Sequence, residues 1–275
     1  MVKLSQYIFI CFVLLSSCSR EDEIDLNVPY KKKLVAEIFI GEGDSVFNAI
    51  LTHTKPVFGE ASNSMPDYVS NANAFISRGA EQINLVFNGN FSQYYSDVLP
   101  NKIKSGESYY FEANDGNEKV YGSTTIPEKP NLSYSVKLDS SINDAYFYNA
   151  TINCTNLSEK PCYIRVMARV KFSDSTYGMM FENSFNEIKI LAKGHSIQRK
   201  LYCYKPNELV YPIRIEISGI NCDEAYAKYY NNTTPFNFYN ILPINEPTIA
   251  YSNMSNKIGI IASYCSAPTQ VFKLQ

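Results

Sequence analysis

The stretch Cys162-Tyr163-Ile164-Arg165-Val166-Met167-Ala168-Arg169-Val170-Lys171-Phe172 alternates without a break. Cys162, Ile164, Val166, Ala168, Val170 and Phe172 fall on one side; Tyr163, Arg165, Met167, Arg169 and Lys171 fall on the other. A period of two with one apolar and one largely polar face is the pattern of a half-buried strand, since successive side chains of a strand point to opposite faces. Val210 to Ser218 repeats it, with Ile213, Ile215 and Ile217 set against Arg214, Glu216 and Ser218. Leu132–Leu138, Tyr146–Asn153, Asn186–Ala192, Ser196–Tyr204 and Lys257–Ser263 are shorter candidates for strands.

The same grammar runs through the first half. Lys33–Ile40, Val46–Thr52, Ala72–Arg78, Gln82–Phe87, Ser108–Asn114 and Glu118–Pro127 read as strands. Between them stand Gly41-Glu42-Gly43-Asp44, Asn88-Gly89-Asn90 and Asp115-Gly116, residues that favour tight turns. In the strand at 72–78, Ala72, Ala74 and Ile76 share a face opposite Phe75. The stretch from Phe58 to Tyr68, with Gly59 and Pro66, reads as a loop. Pro127-Glu128-Lys129-Pro130 stops both ladder and helix and is the natural boundary. The expected fold is mainly β. An Ig-like or transthyretin-like sandwich spans 31–127, and a second β-rich domain with one short helix spans 131–275. That helix is predicted over Asn221–Tyr230, with Asn221 as its cap and acids in the first turn.

The 275-residue chain has 22 tyrosines, 16 phenylalanines and no tryptophan, a composition suited to strands. Its net charge of −2 argues against a nucleic-acid partner, which calls for a basic face.

Residues 1–18 read as a secretory signal. Lys3 supplies the positive start, and Tyr7–Leu15 is an apolar run too short for a bilayer, which takes about 20 residues. Leu15-Ser16-Ser17-Cys18 resembles the bacterial lipobox, whose cysteine is acylated and becomes the mature N-terminus. Each buried methylene of such an anchor contributes about 0.8 kcal/mol. Residues 19–30 form a polar tether. Its acidic cluster Glu21-Asp22-Glu23 resembles the export signal of lipoproteins that reach the outer face of the outer membrane. The expected location is therefore the outer membrane, lipid-anchored through Cys18 and facing the cell surface, with the periplasmic face as the alternative.

Beyond Cys18 lie five cysteines: Cys154, Cys162, Cys203, Cys222 and Cys265. An odd number leaves at least one unpaired. Cys154 and Cys162 bracket a Pro161 turn and form a candidate disulfide; buried thiols are expected for the rest. The histidines, His53 and His195, stand outside any catalytic signature and read as surface imidazoles. There is no G-x-S-x-G, H-E-x-x-H or G-x-x-x-x-G-K-[ST], so neither catalytic residues nor a metal or cofactor is expected. Asp44-Ser45-Val46 and Asp174-Ser175-Thr176 match a tripeptide used for bacterial O-glycosylation and equally match simple turns. Paired aromatics such as Tyr94-Tyr95 pack mostly as core, yet neighbours in a strand face opposite ways. Tyr68, Tyr94 and Tyr95 are accordingly the candidate contact residues.

Several of these segments recur in order elsewhere: Leu34-Val35-Ala36-Glu37, Asp144-Ala145-Tyr146-Phe147-Tyr148, the Ile-rich strand before the Tyr226 helix, Pro235-Phe236, Ser252-Asn253 and Lys257-Ile258-Gly259-Ile260-Ile261. With the lipobox, they make the chain resemble domain-of-unknown-function family 4249, lipoproteins of Bacteroidota. It departs from that family at Ile260-Ile261, where a glycine–phenylalanine step is usual. The resemblance implies a two-part β architecture in the outer membrane. It also implies an accessory role beside a TonB-dependent receptor in nutrient uptake, and no catalytic residues. The alternatives are a structural or adhesive surface module and, more remotely, a glycosidase or peptidase.

Overall fold

The computed structural model describes residues 30–55, 65–142, 145–154, 162–179, 181–182, 189–191, 196–204, 209–233 and 251–274. Cys18 and the signal and tether ahead of Tyr30 lie outside them, as do the turn at Pro161, His195 and the Pro235–Pro247 stretch.

The first half contributes β1 (Leu34–Gly41), β2 (Asn48–His53), β3 (Asp67–Tyr68), β4 (Asn73–Arg78), β5 (Glu81–Asn88), β6 (Gln93–Tyr95), β7 (Ser108–Asn114) and β8 (Lys119–Thr125). The second contributes β9 (Leu132–Ile142), β10 (Ala145–Cys154), β11 (Cys162–Phe172), β12 (Tyr177–Met179), β13 (Phe181–Glu182), β14 (Lys189–Leu191), β15 (Ser196–Tyr204) and β16 (Pro212–Cys222). Helix α1 (Glu224–Thr233), β17 (Gly259–Ser266) and β18 (Gln270–Lys273) follow. The fold is mainly β with one short helix among the described residues.

One long sheet runs β12-β11-β16-β17-β1-β2-β6-β5-β4-β7-β8. It curls, so that β8 returns to β1 and β17 across a core built from Leu34, Ile38, Ile40, Leu51, Ile76, Phe111 and Val120. The closure is tight: the Leu34 amide donates to Glu118 Oε2 at 2.6 Å. A side chain at Gly122 would meet Ile261 and Met254 at 2.8 Å. A second sheet, β13-β15-β10-β9, packs on β11 and β16 over a separate core of Tyr134, Tyr148, Ile152, Ile164, Val170, Leu201 and Ile215.

Pro127–Pro130 lies between the two cores, but the second half does not keep to its own. Met254, Ile261 and Cys265 belong to the first core, because β17 runs parallel to β1, with Ala36 opposite Gly259 and Ile38 opposite Ile261. Glycine is required at 259. Its φ is +88°, and a Cβ there would sit 2.2 Å from the Ala36 carbonyl oxygen.

Two local expectations are corrected. The polar segment after Leu138 continues β9 to Ile142, held to β10 by pairing and by Asn149 Nδ2 donating to Asp139 Oδ1 at 2.9 Å. The helix is capped by Asp223, whose Oδ1 accepts from the Tyr226 amide at 2.7 Å. Asn221 is still in β16. Its side chain accepts from the Tyr163 amide and donates to the Glu128 carbonyl.

Candidate functional site

Alternation sends Leu34, Ala36, Ile38 and Ile40 of β1 into the core and leaves Glu37 and Phe39 on the outer face. In β2, Ala49 and Leu51 point inward and Asn48 and Ile50 outward, with Ile50 paired to Glu37. In β6, Tyr94 points inward and Gln93 and Tyr95 outward; Tyr95 pairs with Asn48 on one side and Val86 on the other. Paired residues share a face, so one outer surface runs from Val86 through Tyr95, Asn48 and Ile50 to Glu37.

Helix α1 closes one end of that surface with tyrosines. Phe39 meets Tyr226 edge-on, with ring centroids 5.5 Å apart, and tilts against Tyr229 at 6.1 Å. Arg165, from the neighbouring β11, holds this wall from behind. It donates to the Tyr226 and Tyr230 hydroxyls at 3.0 and 2.6 Å, and its guanidinium lies 4.1 Å over the Tyr230 ring. The helix start is fixed by a buried knot. The Thr124 hydroxyl donates to Asp223 and lies 2.7 Å from the Ser263 hydroxyl, the Ser263 amide donates to Asp223 Oδ2 at 3.1 Å, and the Asp223 amide donates to the Ser263 carbonyl at 3.0 Å. Burial raises the Asp223 carboxyl above its ordinary value, against the lowering effect of these hydrogen bonds.

Between Phe39, at the foot of this wall, and the 43–46 loop lies a cleft of about 510 Å³, within the range of about 300–1,000 Å³ of small-molecule sites. Glu37, Phe39, Asp44, Asn48, Gln93 and Tyr264 are among its lining residues. The loop is a tight turn in which Asp44 Oδ2 accepts from the Gly41 amide at 2.7 Å. Glycine at 41 lets the Tyr264 ring lie against the turn, since a Cβ there would be 2.6 Å from Tyr264 Cζ.

The charged groups of the lining are both carboxylates. Burial raises the Asp44 carboxyl, opposed by the Gly41 hydrogen bond. The Tyr229 hydroxyl donates to Glu37 Oε1 at 3.1 Å; its burial first, and then the Glu37 charge, push its pKa up to about 12. Burial, with Asp44 nearby, also raises Tyr264. Rings, amides and acceptors around an open space suit the binding of a small polar molecule. Among the described residues, no three His, Cys, Asp or Glu side chains are grouped to hold a metal.

The structure separates the residues singled out from sequence. Tyr94 is corrected: it is 1% exposed, edge-on to Phe87, and its hydroxyl accepts from the Ala72 amide at 2.9 Å. Tyr95 lies on the outer face with Phe91 against it, beside the cleft. Tyr68 is exposed on β3, paired with Thr52, and does not line the cleft. Cys154 and Cys162 are buried thiols, not a disulfide. His53 is engaged, its Nε2 2.8 Å from Asp115 and its Nδ1 3.4 Å from Asp67. Asp44-Ser45-Val46 and Asp174-Ser175-Thr176 both form turns, the second with Asp174 accepting from Thr176. Glu37, Phe39, Asn48 and Tyr264 were not anticipated. The available signal was an acid standing inside the apolar run Leu34–Ile40.

A model of the family described as "Domain of unknown function (DUF4249)" matches residues 21–269. The chain belongs to that family. No curated protein matches the DUF4249 chain. Among solved structures, a DUF4785 family protein from Legionella pneumophila is similar at 16% identity and a TM-score of 0.24, over 70% of this chain and 54% of its own. The DUF4249 chain thus spans about half of that protein's length.

Proposed function

We propose that this DUF4249 protein is a lipid-anchored binding component of the outer membrane that works beside a TonB-dependent transporter, with the cleft formed by β1, β2, the 43–46 loop and Tyr264 as its ligand site. The observation that carries the proposal is the convergence in one cleft of Phe39 and Tyr264 with Glu37, Asp44, Asn48 and Gln93. Aromatic faces provide apolar contact, and carboxylates and amides set orientation and specificity. Glu37 and the aromatic wall are already held by Tyr229 and Arg165, so little ordering is left to oppose binding. The strip from Asn48 to Tyr95 and Val86 extends the contact beyond the cleft. An acyl anchor on Cys18 would hold such a site near a transporter and raise the effective concentration of the two.

The test is recovery of the tagged full-length protein from detergent-solubilised outer membranes, followed by mass spectrometry. A TonB-dependent receptor in stoichiometric amount is the expected result. Reproducible recovery of the protein alone overturns the complex.

A further inference from the structure

On the second half of the long sheet, three cations stand in one row. Lys171 of β11 is directly opposite Arg214 of β16, and Arg214 is directly opposite Lys273 of β18. Strand neighbours lie about 4.8 Å apart, and like charges placed opposite one another destabilise a sheet. Tyr177 of β12 ends the row, opposite Lys171. The next row on the same face is Arg169, Glu216 and Val271.

Glu216 is the one acid in these two rows. It is 5% exposed, paired with Arg169 at 2.5 Å and with Arg214. Lys171 and Lys273 form no ion pair among the described residues, and the buried Arg214 Nε donates to no acceptor. Asp174, in the adjoining turn, is engaged with Thr176. The cations surround an aromatic ring, with Arg169, Lys171 and Arg214 lying 4.8, 5.6 and 5.9 Å from the Tyr177 centroid. Exposed apolar groups are interspersed on the same face: Met167 at 40%, Tyr177 at 48% and Val271 at 52%.

A chain of net charge −2 that concentrates four cations against one acid on a sheet face has built a local field of opposite sign. We infer that this face, formed by Arg169, Lys171, Arg214 and Lys273 around Tyr177, docks the protein on an anionic phospholipid surface. A broad sheet face matches a planar partner. Its cations meet headgroup phosphates, while tyrosine, methionine and valine enter the interfacial layer. An anionic membrane repels the rest of this acidic chain and so selects the orientation.

The experiment is co-sedimentation of the full-length chain carrying Cys18→Ser, which prevents acylation. Vesicles of phosphatidylglycerol mixed with phosphatidylcholine are compared with vesicles of phosphatidylcholine alone. The apolar run Tyr7–Leu15 contributes to both, so the difference between them is the readout. Binding is expected to be tighter on the anionic vesicles and to weaken with salt. K171Q/K273Q should reduce the anionic preference about 25-fold, from about fivefold per charge. K137Q/K200Q, the same charge change on the other sheet, should leave it unchanged. Equal binding to both vesicles, or equal losses from the two double variants, overturns the inference. So does variant-sensitive binding to soluble polyglutamate without vesicle preference, which would assign the face to an acidic protein.

Discussion

Tyr229 of helix α1 donates its hydroxyl to Glu37 of β1, 192 residues earlier in the chain, at 3.1 Å. This bond ties the helix to Glu37, a lining residue of the cleft, and fixes one of its carboxylate oxygens. Tyr229→Phe removes the donor and keeps the ring packed on Phe39. A loss of about 1 kcal/mol in denaturant unfolding is expected, with the circular dichroism unchanged. An unchanged midpoint would show that the bond adds nothing to the folded state.

His53 and Asp115 join the end of β2 to the β7–β8 turn. Burial alone would raise the Asp115 carboxyl; hydrogen bonds from His53 and from the Glu118 and Asn117 amides outweigh it and hold the pKa below its ordinary value. A carboxyl that is more acidic folded than unfolded adds stability above its unfolded pKa of about 3.9, and that stability is lost as pH falls through the folded value. In His53→Ala this contribution shrinks. About 2 kcal/mol should be lost at pH 7, and acid unfolding should begin at a higher pH. Acid unfolding at the same pH in both proteins would dismiss the pair as a stabiliser.

Gly259→Ala tests the join between the two halves. The new Cβ has no way to avoid the Ala36 backbone, because the neighbour is main chain and the φ is left-handed. A cost of about 3 kcal/mol or more is expected, read as a fall in Tm. Gly116→Ala, also at positive φ but with open space around it, should cost less.

Among the described residues, the five cysteines are buried thiols. Desolvation raises Cys203 to about 11; burial together with Glu42, to which the Cys265 thiol donates at 2.8 Å, raises Cys265 to about 12. A thiol reacts as the thiolate, so alkylation by iodoacetamide should be slow in the native protein and rapid after denaturation. Reductant should leave Tm unchanged. A reductant-sensitive Tm would reinstate the Cys154–Cys162 bridge.

Strands such as β11 and β15 were legible to the residue because alternation is a local property of the chain. β6 was missed because three residues are too short to display a period. The Tyr94-Tyr95 pair shows the next limit. Sequence requires that they face opposite ways, but which one is buried depends on where the core lies, and that is set by β2 and β5 on either side. The helix was found and its cap misplaced, since Asn221 and Asp223 are equally good caps until β16 claims the first. The cleft was illegible for the same reason on a larger scale. Glu37, Asn48, Gln93 and Tyr264 are brought together by strand order, and no spacing along the chain encodes it.

The parallel pairing of β17 with β1 also sets a timetable. A chain delivered from its N-terminus places β1 and β2 first, yet the open edge of β1 waits for Gly259–Ser266 before its backbone groups are paired. Asn256, which caps the arrangement by donating to the Leu34 carbonyl at 2.7 Å, arrives 222 residues after its partner. The first core therefore closes only when the end of the chain arrives. A fragment ending at Pro130 would present a bare, apolar strand edge, the kind that recruits other chains. During synthesis, this protein must be kept from its neighbours until nearly its whole length has been released.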